Sequence, residues 1–499
     1  MGKTVESTNF DRNDYRRYRR KVRQCLDVFA QMLDHFRFDE DKPMTGLEIE
    51  INLVDRDGRP AMRNAEVLSI LGDPHFQTEL GLFNLEINVP PQMIVGDGFD
   101  RYERYLRDSL AAADAAAHQV GASLVTIGIL PTVTPEDTVL ENISANPRYR
   151  TLNEQIIDAR GDAISIDIRG AERLQMLVES IMPEAANTSV QFHLQVTPKT
   201  FASYWNASQA LAGVQVAVGA NSPFLYGRRL WDETRVALFE QATDTRPEEL
   251  KNQAVRQRVW FGERWITSIF DLFEENVRYF PALLPICEDE DPADVIATGG
   301  VPQLRELRLH NGTVYRWNRP VYDISPEYGR PHLRVENRVL PAGPTVVDML
   351  ANAAFYFGLV RSFAEADRPV WSQLPYPTAE QNFYLACREG LSATIYWPRG
   401  GEIRVTDLVL ERLLPAAYEG LDRFDVEPAI RDRLLGIIEQ RCIRGRNGAT
   451  WQADTVEALE SRGLDRPAAL REMLLRYIDH MRTNEPVHTW PLPHAGAPS

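Results

Sequence analysis

The 499-residue chain is 44% apolar and 25% charged, ordinary values for a globular protein, and they exclude wholesale disorder. Lys and Arg number 55 against 71 Asp and Glu, and the resulting formal net charge of −16 repels a phosphate backbone, so general nucleic-acid binding is not expected. At ~100–200 residues per domain, the length allows two or three compact units, or one large domain with an appendage.

Apolar side chains at Val22, Leu26, Phe29, Leu33 and Phe36 recur at helical spacing and predict a helix over Asp11–Phe36, ended before Pro43. Its dense basic stretch, Arg16 to Lys21, reads as a solvated face. From Met44 to Val54 the pattern alternates, with Leu47, Ile49, Ile51 and Leu53 against Gly46, Glu48, Glu50 and Asn52, which predicts a half-buried strand. The alternation returns three times. Leu82–Val89 sets Asn84, Glu86 and Asn88 on its polar side; Thr188–Val196 sets Ser189, Gln191, His193 and Gln195; His332–Val339 sets Arg334, Glu336 and Arg338.

Helices are predicted over Phe99–His118, Tyr204–Val218 and Thr345–Ala364. Amphipathic strands mixed with helices favour an α+β fold, an antiparallel sheet with helices on one side, over a doubly wound parallel sheet. After Gln373 the chain reads as helices over Arg404–Ala417, Ala429–Arg441, Trp451–Arg462 and Pro467–Arg482. Pro486, Pro491, Pro493 and Pro498 mark 485–499 as a loose tail. The domain reading is therefore an N-terminal helix over 1–40, a catalytic unit over 41–372, a helical region over 373–484, and the tail.

Cys25, Cys287, Cys387 and Cys442 form no CxxC pair, which is neither a disulfide framework nor a zinc site. The opening Met-Gly-Lys-Thr-Val-Glu-Ser lacks an apolar targeting core, and no uninterrupted apolar run reaches the ~20 residues of a membrane span. A reduced, soluble, cytoplasmic protein without a membrane partner is expected.

If the four strands share one sheet, Glu48, Glu50, Glu86, His193, Glu336 and Arg338 line one face. Gathered carboxylates need a compensating cation or open solvent. A hard divalent cation such as Mg²⁺, joining carboxylates to substrate phosphates, resolves the repulsion. Each strand alone reads first as the solvent side of a sheet; the set, with Asn, Gln and His in place of Lys and Thr, reads as a site. Arg338 suits transferred phosphoryl charge, or alternatively a cross-strand ion pair. No G-x-x-x-x-G-K-[S/T], strand–GxGxxG–helix, GxSxG or HExxH motif is present, and lysines number five: Lys3, Lys21, Lys42, Lys199 and Lys251.

These residues bring a family resemblance. Thr45-Gly46-Leu47-Glu48-Ile49-Glu50 resembles the Gly-x-Glu-x-Glu strand of the glutamate–cysteine ligase and carboxylate–amine ligase family, and Glu79 to Glu86 resembles its next acidic strand. Ala220-Asn221-Ser222-Pro223-Phe224 is similar to its Ala-Asn-Ser-Pro-Phe motif, and Leu333 to Val339 to its Glu-x-Arg strand. The matching stretch runs from about Met44 to Ala364. The resemblance implies a glutamine-synthetase-like curved antiparallel sheet with helices on its outer face, here with a C-terminal helical extension. It also implies two or three Mg²⁺ ions, ATP as co-substrate, and glutamate activated at its γ-carboxylate as an acyl phosphate that an amine, with cysteine leading, then attacks.

Carried over, it makes Glu48, Glu50, Glu86 and Glu336 metal ligands, with His193 near metal and nucleotide and Arg338 at the phosphoryl group. Arg319 would hold the glutamate carboxylate, and Asn221 would belong to the substrate- or ATP-binding set. Gln191-Phe192-His193 stands where many relatives carry His-x-His, Gly128-Ile129-Leu130-Pro131 where relatives often carry Gly-Thr-His-Pro, and Val89-Pro90 in place of Thr-Pro. These differences leave another amine acceptor open. The rival from a different class is a non-catalytic relative that binds nucleotide or a partner protein, for which the junction Gly448-Ala449-Thr450-Trp451-Gln452 would suit an interaction role. The sequence leaves oligomeric state undetermined.

Overall fold

The computed structural model describes residues 10–40, 42–326 and 328–493. The Met1–Ser7 opening, and with it Lys3, lies outside the described residues, as does the tail beyond Pro493.

Helix α1 (Arg12–His35) starts on an Asp11 capping box with Asp14. Its inner stripe, Tyr18, Val22, Cys25, Leu26, Phe29 and Met32, is buried, while Arg16, Arg17, Arg19 and Arg20 face solvent. The sheet strands, in chain order, are β1 (Thr45–Val54), β2 (Phe76–Thr78), β3 (Asn84–Gln92), β4 (Ser123–Val125), β5 (Ser189–Val196), β6 (Asn318–Ile324) and β7 (Pro331–Pro341). They form one seven-stranded sheet in the order β6-β7-β5-β1-β3-β2, with β4 paired to β1, and every pairing is antiparallel. The four alternating segments are thus neighbours at the centre of the sheet. The second of them, β3, begins two residues later than its alternation suggests, because Asn84 N–H bonds Gly81 C=O at 2.9 Å and closes a turn over Leu82 and Phe83.

Four helices pack the apolar side and the C-terminal half, α2 (Gly98–Gln119), α4 (Phe201–Gly219), α5 (Val346–Ala364) and α6 (Tyr376–Glu389), while α3 (Pro147–Arg160) brings Arg148 to the polar side. Helices α4 and α5 are buried on nearly every side, which is why neither shows a polar stripe. Phe192 of β5 stacks on Tyr356 of α5 with ring centroids 5.9 Å apart, and Trp205 of α4 donates to Asn318 C=O at 2.9 Å. Among the described residues α5 alone is long and apolar enough to cross a membrane, and 89% of its most apolar window is buried inside the protein.

The C-terminal region departs from the all-helical reading. A hairpin, Thr394–Trp397 with Gly401–Arg404, precedes a helical stretch over 405–413 whose second part is a π-turn, and then α7 (Leu414–Arg423). Helices α8 (Pro428–Arg444), α9 (Gly448–Glu460) and α10 (Arg466–Thr483) follow.

The described part of the Pro-rich tail is packed, not loose. Val487 and Trp490 are buried, Val487 N–H donates to the Asp348 carboxylate at 3.0 Å, and Trp490 meets Trp451 edge-on at 5.0 Å. Two anchoring side chains in a short segment leave no periodicity to read. The stretch Gly448–Gln452 is likewise internal: Ala449 N–H bonds Ala220 C=O at 2.9 Å and Gln452 Nε2 bonds Asn221 Oδ1 at 2.8 Å, so it braces its own fold and offers no surface to a partner.

Candidate active site

The sheet register assembles the site from residues far apart in the chain. Glu50 of β1 lies directly opposite Glu86 of β3, and Glu48 opposite Asn88 and, on its other side, Gln191. His193 of β5 is opposite Gly46 and Glu336; Glu336 in turn is opposite Arg319 of β6. A row therefore crosses β6, β7, β5 and β1 on the face away from α4 and α5.

Each carboxylate is held by identifiable donors. Glu50 accepts Ser189 N–H at 2.6 Å and the Gln191 amide at 3.2 Å. Gln77 and Asn88 amides both reach Glu86 Oε1 at 2.6 Å. Arg319 Nη2 donates to Glu336 Oε2 at 2.7 Å, and Arg338 Nη1 lies 3.3 Å from Glu336 Oε1. His193 Nε2 lies 3.1 Å from Glu48 Oε1.

The charges divide the face into two halves. Burial by itself would raise the Glu48 pKa, but His193, Arg319 and Arg334 together bring it down to about 2. Glu336 is also lowered, since Arg319 and Arg338 outweigh its burial. Toward β3 the sign reverses. Glu86 is pushed up to about 7 by burial and by the charges of Glu48 and Glu50, and burial lifts Glu50 despite Arg338. Two further carboxylates join this half. Glu79, just before Leu80, is raised well above its usual range by burial and by Glu86 and Glu50. Glu184, in the 3₁₀ turn Met182–Ala186, is raised to about 8 by burial and Glu50.

On the other side of the row lies a cavity of about 590 Å³. Its walls carry Glu48, Glu336 and Arg319 from the row, and Arg148, Arg305, Arg308 and Arg334 beyond it. The strand alternation points to none of Glu79, Glu184, Arg148 or Arg305, because they arrive from loops and helix starts. Glu79 had one available signal, its place at the head of the second acidic motif.

The residues fit a hard divalent cation chemically. Among the described residues no three His, Cys, Asp or Glu side chains already converge as a metal cage. Yet His193 Nδ1 is buried without a polar partner, His193 Nε2 and Glu336 Oε1 are buried with only an ionic neighbour at 3.1 and 3.3 Å, and the Glu50–Glu86 half holds mutually repelling carboxylates. Oxygen ligands in excess beside orphaned polar atoms are what a bound cation resolves.

Asn221 is placed elsewhere. It is fully buried, its amide donates to Ala342 C=O and Tyr477 Oη at 2.8 Å each, and its Oδ1 accepts from Gln452. With each polar atom of its amide bonded to protein, it has none to offer a ligand, so its motif serves the packing of α9 and α10 onto the sheet.

The family model described as Glutamate-cysteine ligase family 2 (GCS2) matches residues 44–463, well past Ala364 and through α7, α8 and α9. No curated protein matches the chain significantly. Among solved structures, the glutamate–cysteine ligase of Francisella tularensis in complex with AMP superposes with a TM-score of 0.56 at 13% identity, covering 91% of each chain. A bifunctional glutathione synthetase from Pasteurella multocida aligns with a TM-score of 0.49 at 13% identity, over 92% of this chain and 55% of that one.

Proposed function

Because the chain belongs to glutamate–cysteine ligase family 2, we propose that it is an ATP- and Mg²⁺-dependent ligase joining the γ-carboxylate of glutamate to an amine. The carrying observation is the row Arg319–Glu336–His193–Glu48, set between a carboxylate-rich half and an arginine-lined cavity. An amide does not form from a carboxylate and an amine at neutral pH without activation, and phosphoryl transfer is mainly positioning plus charge neutralisation.

Glu48, Glu50, Glu86 and Glu336, with His193 beside them, would hold Mg²⁺, which neutralises phosphate charge when bound. Gln191 and Ser189 fix the Glu50 carboxylate, and Gln77 and Asn88 fix that of Glu86. Arg338, braced on Glu336, faces the same space and supports the transferred phosphoryl charge. Arg319 lines the cavity, where it would orient the glutamate carboxylate. The AMP of the Francisella enzyme accords with a nucleotide in this fold.

Cysteine is the acceptor that the family brings forward. A different amine is favoured by Gln191, which donates to Glu50 where many relatives carry a histidine. The test is ADP release with ATP, Mg²⁺ and glutamate against a panel of amino-acid and amine acceptors. Release stimulated by one acceptor, with a γ-glutamyl product of matching mass, supports the ligase. No release with any of them defeats it and leaves the non-catalytic relative.

A further inference from the structure

We infer that the amine acceptor carries carboxylates of its own, as an acidic amino acid or short acidic peptide, held by Arg148 and Arg305, which line the cavity. The inference rests on the ligase reading and goes past it by naming the acceptor's class. Once Glu48 and Glu336 are assigned to the cation and Arg319 to glutamate, the remaining wall holds Arg148, Arg305, Arg308 and Arg334 against only Glu288 and Asp323. Asp323 is shared by two of them, Arg308 at 2.7 Å and Arg334 at 3.7 Å. Arg305 has Glu288 at 3.5 Å.

The Arg148 guanidinium makes no hydrogen bond or ion pair with any described side chain, although its backbone is fixed in the first turn of α3 by the Asn146 cap at 3.1 Å. It is a cation positioned in a cavity without a counter-charge. Gly312, on the same wall, lies close beneath: a Cβ there would sit 3.7 Å from Arg148 Nη2. At about 590 Å³ the cavity is within the ~300–1,000 Å³ of ordinary ligand sites. The phosphates of a Mg²⁺ nucleotide are better matched by the other half, where Glu50 and Glu86 face each other across β1 and β3 and a cation is needed.

In the joining step the acceptor nitrogen forms a C–N bond to the γ-carbonyl carbon as the C–O bond to phosphate breaks. Of the two protons the ammonium sheds, one leaves with the phosphate and one goes to solvent. A neutral amine has nothing to offer Arg148, whereas an acidic acceptor pairs both guanidiniums.

The experiment measures ADP release with ATP, Mg²⁺ and glutamate, alone and with aspartate, cysteine, alanine or ethylamine, in the native chain and in Arg148→Gln and Arg148→Lys. Aspartate, or glutamate serving as its own acceptor, is expected to exceed alanine and cysteine in kcat/KM by about ten-fold or more. Arg148→Gln should raise the acceptor KM by a similar factor without moving the ATP KM, and Arg148→Lys should recover most of the loss. Equal or better use of cysteine or ethylamine overturns the inference, as does an effect of Arg148→Gln confined to the ATP KM. Silence with every acceptor, while calorimetry shows aspartate bound and alanine not bound, defeats the ligase reading and leaves the anion site standing.

Discussion

Glu50 and Glu86 are direct cross-strand partners, two carboxylates facing each other across β1 and β3. Like charges directly opposite destabilise a sheet, so this pairing is costly in the ion-free protein. The protein answers by holding protons: Glu86 rises to about 7 and Glu184 to about 8.

Proton release on cation binding follows from that pair. Below about pH 7 Glu86 and Glu184 carry protons that a divalent cation must displace; above about pH 9 these two have lost theirs, while Glu79 is raised further still. Titration of Mg²⁺ at pH 6.5 in buffers of different ionisation enthalpy should therefore give strongly buffer-dependent heats, and at pH 9 a smaller dependence on buffer. Mg²⁺ affinity should rise between the two. Heats independent of buffer at pH 6.5 would remove Glu86 and Glu184 from the cation's surroundings.

Replacing Glu336 by Gln preserves shape but removes the charge between Arg319 and Arg338. Turnover is expected to fall ~100-fold or more, as when a preorganised charge at a reacting phosphate is lost. The variant should stay folded by circular dichroism with stability reduced by roughly 3 kcal/mol, because two guanidiniums lose their counter-charge in a buried place. Native turnover in a folded Glu336→Gln protein would falsify the site.

Asn221→Ala separates a packing role from a binding one. Truncation leaves the Ala342 carbonyl without its donor and takes one bond each from the Gln452 amide and the Tyr477 hydroxyl, which keep Asn221 C=O and Thr126 C=O, at about 1–3 kcal/mol for a buried group left unpaired. A drop of about 3 kcal/mol in denaturant unfolding is expected, with the ATP and glutamate KM values unmoved in the folded fraction. A selective rise in either KM at native stability would return Asn221 to the substrate site.

What the sequence discloses of this site is what one strand can carry. Glu48, Glu50, Glu86, His193 and Glu336 alternate with buried apolar residues, and a period of two places them on one face whatever the rest of the chain does. Glu184 stands in a 3₁₀ turn and Arg148 at a helix start, where no period marks a face. They reach the site only through the closing of the chain. Asn221 shows the converse: the motif around it is legible, but its partners Gln452 and Tyr477 come from α9 and α10, so its structural duty is visible only in the fold.

The C-terminal segment provides the last prediction. Trp490 is buried against Trp451 and Tyr477, with centroids 5.0 and 5.2 Å away, and its indole N–H donates to Glu485 C=O at 2.8 Å. Three residues earlier, Val487 N–H closes on Asp348, whose carboxylate also holds Arg441 of α8 at 2.7 Å. The segment thus ties α5, which packs on the sheet, to α8 and α9. Trp490→Ala should cost about 3–5 kcal/mol, the usual range for truncating a buried large aromatic residue. Removal of 485–499 should cost at least as much, since it also leaves part of Asp348 unpaired. If the tail were loose, as its prolines suggest, both changes would leave the unfolding midpoint where it was. Thermal and denaturant unfolding of the two variants against the intact chain decide between them.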